Sequence, residues 1–203
     1  MRGRKMTNKG FTLAEIIVVL FIVGFLIGSV ALVVGRTQER GAVITTLSEM
    51  NNIKKTIRER FYPDLGLIPE DAADPEYATR YLCLKNDGAG NPEYQEMRNF
   101  LGSDNLMVWD KYVRKGWRGP YMEPDTRYHD LVDDEWYPVL TDSWKNYYHI
   151  LMNPAQDKDS ARIVSFGANG LDEGGTILPV PADIGDDIVM FVFGGGEARS
   201  PLD

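Results

Sequence analysis

The chain has 203 residues, enough for one domain of ordinary size and an additional segment. Its composition, 43% hydrophobic and 26% charged, is that of a folded protein and excludes a wholly disordered chain. Residues 1–35 carry a net charge of +3. Because the whole chain carries −8, residues 36–203 carry −11. Such an acidic part argues against nucleic-acid binding, which needs Lys and Arg to replace the counterions on phosphates.

The N-terminal part joins a basic leader to a long apolar run. Four basic residues lie within residues 1–10, and residues 11–34 contain one charged residue, Glu15. At ~1.5 Å per residue, a helix over that run rises about 36 Å and exceeds the roughly 30 Å core of a bilayer. The positive charges before it predict a cytoplasmic N-terminus and an external C-terminal part.

Two general interpretations of this run leave features unexplained. A cleaved secretory signal finds a small-x-small site at Ser29-Val30-Ala31, but the apolar run continues to Val34 and Glu15 lies inside it. A simple signal anchor does not explain Glu15, because a carboxylate costs about 2.5–3.5 kcal/mol at the centre of a membrane helix. An ionisable group in such a segment suggests a function and a partner.

The run Gly10-Phe11-Thr12-Leu13-Ala14-Glu15 resembles the processing site of type IV pilins and pseudopilins. The resemblance implies that a prepilin peptidase cuts between Gly10 and Phe11 and methylates the new amine. An α-amino group has a pKa near 8 and is charged at neutral pH, so Glu15 is expected to neutralise it on the same or a neighbouring subunit during assembly.

The helix is predicted to continue through residues 35–61, where apolar residues recur at helical spacing. They are Ile44, Leu47, Met50, Ile53, Ile57 and Phe61. Pro63 is predicted to end this amphipathic half, and the pilin family has a two-part helix of this kind. A free lipid-binding helix is the alternative, although the mixed charges on the polar face do not favour it.

Residues 62–115 are predicted to be irregular, with short helices over residues 75–84 and 92–101 and a loop over residues 86–92. The single cysteine, Cys83, cannot form an internal disulfide and is predicted to be a buried small apolar residue.

Residues 116–122 and 142–150 resemble two consecutive elements of major pseudopilins, the second of which is usually Asp-Pro-Trp-Gly-Asn-Pro-Tyr. Four residues keep that spacing: Asp142, Trp144, Asn146 and Tyr148. Three replace the Pro, Gly and Pro of the family: Ser143, Lys145 and Tyr147. We expect the aromatic side chains to cover a sheet with their polar tips hydrogen-bonded.

Strands are predicted over residues 162–167 and 188–193, with Ile150 closing an earlier one. The glycine-rich acidic segment between them resembles the calcium-binding loop of major pseudopilins. Calcium takes six to eight oxygen ligands, and glycines let the chain fold around the ion. The predicted ligands are Asn169, Asp172, Asp186 and Asp187, with Asp183 as a further candidate. Asn169 stands where the family has Asp, which is expected to weaken the site, and a solvated loop without metal is the alternative.

The predicted fold is α+β and pilin-like. A cleaved leader (1–10) precedes one long helix, with a transmembrane or filament-core half (11–34) and an amphipathic half (35–61), packed on a small antiparallel β-sheet. Residues 62–203 are predicted to form a periplasmic globular head.

The sequence shows no catalytic pattern: it lacks H-E-x-x-H, G-x-S-x-G and a phosphate loop. A non-enzymatic role is therefore expected, and a membrane-anchored periplasmic enzyme is the less favoured alternative.

The resemblance implies a structural subunit of a type II secretion pseudopilus. Its expected partners are identical subunits in a helical filament, other pseudopilins, a prepilin peptidase, and an inner-membrane assembly platform with its ATPase. The expected location is the bacterial inner membrane, crossed once, with the head in the periplasm. A type IV pilin of a surface fibre is the alternative, and the calcium-type loop and the lack of a C-terminal disulfide pair favour secretion.

Overall fold

The computed structural model describes residues 12–70, 77–85, 92–123, 129–132, 135–153, 158–194 and 198–201. The predicted leader and processing residues Gly10 and Phe11 lie outside this part of the chain. The chain divides into two compact units, Met1–Gly41 and Ala42–Asp203.

The first unit contains the beginning of helix α1, which runs over Leu13–Thr56. The large apolar side chains of residues 13–27 are between 45% and 79% exposed. Across the described residues, none of the helices has the length and apolarity needed to cross a membrane. The transmembrane half over residues 11–34 stays a prediction.

In the second unit, the end of α1 buries one face in the core of the head. Met50 and Ile53 are almost fully buried, as predicted. The prediction was wrong for Ile44, which is 60% exposed, whereas Val43 is buried at 3% and Thr46 at 0%. The buried face passes through Thr46 because its hydroxyl donates a 3.1 Å hydrogen bond to the Ser143 hydroxyl, so a polar residue occupies a core position.

The helical path also continues beyond the predicted end at Pro63. A π-helical turn, Ile57–Phe61, leads directly into helix α2, Tyr62–Leu65. Pro63 lies in the first turn of α2, where it has no N–H to donate to a carbonyl of the preceding π-helical turn. Gly66 then ends α2 in the left-handed conformation, with φ of 74°.

Two short helices follow in the region predicted to be irregular. Helix α3 covers Arg80–Cys83, within the predicted residues 75–84, and α4 covers Pro92–Leu101, as predicted. Single 3₁₀ turns lie at Asp104–Leu106 and Lys158–Ser160. Cys83 is 1% exposed, and burial raises the pKa of its thiol to about 12, as expected of a core residue.

The head contains a three-stranded antiparallel sheet in the order β3-β4-β5, which confirms the predicted α+β fold. The strands are β3, His149–Leu151; β4, Arg162–Ser165; and β5, Ile188–Phe191. Ile150, Ile163 and Met190 lie side by side across the sheet and share one core with the buried face of α1. Burial of this shared apolar face stabilises the packing of helix against sheet.

A separate antiparallel hairpin, β1 (His129–Val132) with β2 (Glu135–Pro138), was not predicted. Neither strand shows a regular alternation of polar and apolar residues, so the period-two signal of a β-strand is weak in this part of the sequence.

Candidate functional site

The glycine-rich acidic segment joins the paired ends of two neighbouring strands. Ser165 at the end of β4 lies opposite Ile188 at the start of β5. The residues that immediately follow Ser165 therefore lie beside those that immediately precede Ile188. The sheet brings the two ends of this long loop together, which the sequence spacing alone does not reveal.

Three carboxylates meet in this loop: those of Glu173, Asp186 and Asp187. Each supplies an oxygen, and these oxygens all lie within 4.8 Å of one another. The prediction named both aspartates and missed Glu173. The neighbouring position, Asp172, was predicted in its place, because sequence alone does not tell which of two adjacent acidic side chains points toward the cluster.

Backbone N–H groups hold this cluster in place. Asp187 Oδ2 accepts hydrogen bonds from the backbone N–H groups of Glu173 and Gly175, both at 2.9 Å. The N–H of Asp186 donates in turn to Glu173 Oε2 at 2.8 Å. These hydrogen bonds hold the carboxylates close together. The backbone N–H dipoles offset only part of the repulsion between their negative charges.

Two carboxylate oxygens of the cluster lack hydrogen-bond partners within the described residues. They are Oδ1 of Asp186 and Oδ1 of Asp187, and both atoms are buried. The Asp187 side chain is fully buried, and burial raises its pKa to about 6 against the opposing effect of the two N–H donors. A buried, unpartnered carboxylate oxygen is costly, and a hard cation such as calcium satisfies it. The residues present therefore fit a calcium ion.

The other predicted ligands are engaged in the loop's own bonds. Asn169 Oδ1 accepts a 2.6 Å hydrogen bond from the Leu171 N–H, while the N–H of Asn169 donates to Asp186 Oδ2 at 2.9 Å. Asp172 accepts hydrogen bonds from the Gly174 N–H and from the Thr176 hydroxyl. Their role as ligands stays a prediction. The structure places Asn169 beside the cluster through its backbone.

Asp183, the further candidate, accepts a 3.2 Å hydrogen bond from the N–H of Gly185. Its carboxylate is not part of the cluster of Glu173, Asp186 and Asp187. Asp183 thus shapes the turn that leads into the cluster.

One glycine lets the chain pass close to the carboxylates. Gly185 has φ of 56°, and a Cβ at this position would lie 1.7 Å from Glu173 Oε2. The left-handed backbone therefore favours glycine at this position, and a side chain here would displace the Glu173 carboxylate from the cluster.

Residues 142–150, which we call the Trp/Tyr element, form hydrogen bonds to the start of the same loop. Asp142 Oδ1 accepts hydrogen bonds from the N–H groups of Trp144 and Asn146, both at 2.9 Å. Its other oxygen accepts a 2.6 Å bond from the Ser165 hydroxyl, and Asn146 Nδ2 donates to the Gly167 carbonyl at 2.6 Å. Residues 142–146 are thus joined by hydrogen bonds to the end of β4 and the start of the acidic loop.

The predicted hydrogen bonds of the aromatic polar groups are present for two tyrosines. The Tyr148 hydroxyl donates to Glu49 at 2.7 Å, and the Tyr121 hydroxyl donates to Asp64 at 3.1 Å. The buried Trp117 Nε1, however, has no hydrogen-bond partner within the described residues.

At the other end of the chain, Thr12 and Glu15 form a reciprocal cap at the start of α1. Glu15 Oε2 accepts from the Thr12 N–H at 2.8 Å and from its hydroxyl at 2.9 Å, and the Glu15 N–H donates to Thr12 Oγ1 at 3.3 Å. This capping box satisfies two donors that the helix itself cannot pair. Glu15 thus has a local partner in the uncleaved chain, and its predicted pairing with the Phe11 amine stays a prediction.

Comparison with known protein families shows that residues 5–31 match the prokaryotic N-terminal methylation motif. The chain carries a type IV pilin-like signal. Neither the curated proteins nor the solved structures contain a match to the chain.

The pilin-like signal includes Gly10, Phe11 and Glu15, the residues predicted for processing and assembly. It indicates a substrate of prepilin peptidase and points to a structural subunit that polymerises. The signal is common to pilins and pseudopilins and does not separate them.

Proposed function

We propose that the chain is a structural subunit of a pseudopilus in type II protein secretion. The observation that carries the proposal is the methylation motif over residues 5–31, which runs directly into the apolar start of α1. Prepilin peptidase cleaves between Gly10 and Phe11 and methylates the Phe11 amine. The processed chains then polymerise through their N-terminal helices.

The exposed apolar surface of α1 supports this assembly. The large apolar side chains of residues 13–27 are at least 45% exposed in the single chain. At about 25 cal/mol per Å², such a surface is costly in water and favours a lipid or protein environment. We propose that the inner membrane covers it first, with the N-terminus in the cytoplasm and the head in the periplasm, and that neighbouring subunits cover it in the filament.

Glu15 sets the alignment of each subunit relative to its neighbours in the filament. Cleavage creates a cation at Phe11, four residues before Glu15. In a low-dielectric filament core, an unpaired charge is strongly unfavourable, so a subunit is held where the carboxylate meets an amine. The expected partners are identical subunits, other pseudopilins, the peptidase, and the assembly platform with its ATPase.

We further propose that the loop between β4 and β5 binds calcium. Asp186, Asp187 and Glu173 would hold the ion, with Asn169 and Asp172 as further predicted ligands. Bound calcium supplies positive charge that neutralises the clustered carboxylates. The loop's own residues orient the ligands through the backbone N–H groups of Glu173 and Gly175. The expected effect is a more rigid head surface.

A type IV pilin of a surface fibre is the alternative, since it shares the N-terminal signal. The acidic glycine-rich loop and the single cysteine, which cannot form a C-terminal disulfide pair, support the secretion role. Deletion of the gene followed by assay of exported proteins tests the proposal. Loss of export of folded proteins is expected. Normal export, together with loss of long surface fibres, would instead support the pilin alternative.

A further inference from the structure

A short hairpin turn projects a basic and apolar tip from the head; we call residues 110–115 the basic finger. The Asp110 N–H donates to the Lys115 carbonyl at 2.8 Å and closes the turn. Asp110 Oδ1 accepts a 2.7 Å hydrogen bond from the Tyr112 N–H, which fixes the start of the tip. The finger is therefore an ordered feature held by its own hydrogen bonds.

The tip of the basic finger has an unusual surface for an acidic head. Tyr112 is 85% exposed and Val113 66% exposed, and Lys111 Nζ lies 5.0 Å from the centre of the Tyr112 ring. Arg114 has φ of 54°, in the left-handed region that is unfavourable for a residue other than glycine. Among the described residues, no partner contacts the Arg114 guanidinium. The fold thus holds a strained arginine beside exposed apolar groups without using it internally.

A groove of complementary charge lies elsewhere on the same head; we call it the acidic groove. It has a volume of about 470 Å³, between α1 and the segments around Glu123 and Ser143. Its lining includes the carboxylates of Glu49, Glu123 and Asp142 and no lysine or arginine. Asp142 is fully hydrogen-bonded within the fold, whereas Glu123 is exposed. A groove of this volume is large enough to receive one or two side chains.

The basic finger and the Glu49 side of the acidic groove lie at different positions along the helical path that ends with α2. The finger is bonded to the end of that part, where the Gly116 N–H donates to the Asp64 carbonyl at 2.9 Å and Lys115 Nζ donates to the Pro63 carbonyl at 3.0 Å. Glu49 in the groove lies fifteen residues before Asp64. At ~1.5 Å per residue, this separation is about 22 Å along the helix axis. The basic finger and the Glu49 side of the groove therefore occupy different parts of the surface.

We propose that the basic finger of one subunit docks in the acidic groove of the next, with Arg114 facing Glu123. Two different surfaces form a head-to-tail contact, which generates an open helical filament when the rotation between subunits does not close a ring. The inference rests on the proposed filament function and names the head-to-head contact within it. Complementary charges give such a contact its register and suppress wrong partners. An anionic membrane is the competing occupant, but the net charge of −11 on residues 36–203 opposes it.

The direct test replaces Tyr112 with a benzophenone-bearing amino acid in the full-length chain, expressed in its host and irradiated in intact cells. The expected product is a dimer whose linked peptide, identified by mass spectrometry, comes from residues 45–53, 122–123 or 140–148 of a second copy. Adducts to lipid, to another protein or to a different surface of the second copy would each overturn the proposal.

Charge reversal gives an independent measurement. Arg114→Glu is expected to lower the yield of filaments by about tenfold, or about 1.4 kcal/mol. Lys85→Glu, a reversal at another exposed lysine, is the control and is expected to assemble normally. Adding Glu123→Arg to Arg114→Glu should restore assembly. Normal assembly of the Arg114→Glu variant would contradict the contact and leave the filament function intact, whereas a wild-type chain that is never cleaved or polymerised would overturn the proposed function itself.

Discussion

The Ser165 hydroxyl donates a 2.6 Å hydrogen bond to Asp142 Oδ2 and joins the Trp/Tyr element to the strand that leads into the acidic loop. Both residues are almost fully buried, at 0% and 5% exposure. Burial raises the pKa of Asp142, and the hydrogen bond from Ser165 is the largest opposing effect. Removing this hydroxyl therefore leaves a buried acceptor with one partner fewer.

We predict that Ser165→Ala lowers the free energy of unfolding by about 1.5–3 kcal/mol, the usual contribution of a hydrogen bond to a charged group. Chemical denaturation of the purified protein measures it. Ser48→Ala removes an exposed hydroxyl on α1 and should cost less than about 1 kcal/mol. Equal losses in the two variants would contradict the structural role of the Asp142–Ser165 bond.

Lys145 stands where the family element has glycine, and its φ is 76°. A left-handed conformation costs a non-glycine residue roughly 1–2 kcal/mol. Glycine avoids this cost, but it loses more chain entropy on folding, which offsets part of the gain. We predict that Lys145→Gly raises the free energy of unfolding by about 0.5–1 kcal/mol. Lys55→Gly, within α1, should lower it by about 1 kcal/mol. A destabilised Lys145→Gly variant would show that the lysine side chain has a role that its backbone conformation does not explain.

Calcium binding should depend on pH through Asp187. Because burial raises the folded-state pKa of this carboxyl to about 6, the metal-free head holds more protons than the unfolded chain between about pH 4 and 6. The contribution of Asp187 to stability therefore falls as pH rises through that window. Calcium binds the ionised form, so the melting temperature should rise on adding calcium above about pH 6, and this effect should vanish as the pH falls below it.

Two substitutions assign that effect to the cluster. Asp187→Asn should abolish the calcium-dependent rise at pH 7, whereas Asp183→Asn, which changes a carboxylate outside the cluster, should largely retain it. Isothermal titration calorimetry with calcium checks both variants. A melting temperature that is indifferent to calcium at pH 7 in the unmodified protein would contradict the proposed metal centre.

Two variants separate the role of Glu15 in capping α1 from its proposed role in pairing with the Phe11 amine. Thr12→Ala removes the capping hydroxyl and should cost about 1 kcal/mol of helix stability, with assembly retained. Glu15→Ala removes both the cap and the carboxylate expected to meet the Phe11 amine, so it should enter the membrane but fail to enter filaments. Fractionation of cells followed by filament isolation measures both steps. Efficient assembly of Glu15→Ala would remove the ion-pair role.

The sequence predicted the parts of the fold that depend on local patterns. The helical face with Met50 and Ile53 and the strands around Ile163 and Val189 follow from periodicity and β-branched residues. Burial of Thr46 in place of Ile44 depends on a hydrogen bond to Ser143, 97 residues away, which no local pattern contains.

The candidate metal centre shows the same limit. Asp186 and Asp187 could be predicted because the acidic glycine-rich segment resembles a calcium-binding loop. The place of the Glu173 carboxylate in the cluster depends on the hydrogen bond that it accepts from the Asp186 N–H, thirteen residues away. Such contacts between distant segments arise only when β4 and β5 pair.

Mass spectrometry of the N-terminus of the protein purified from its host tests the central claim most directly. We predict a mature chain that begins at Phe11 and carries a methyl group on its α-amine. A chain that starts at Leu32, or that retains Met1 and the leader while fully active, would contradict it.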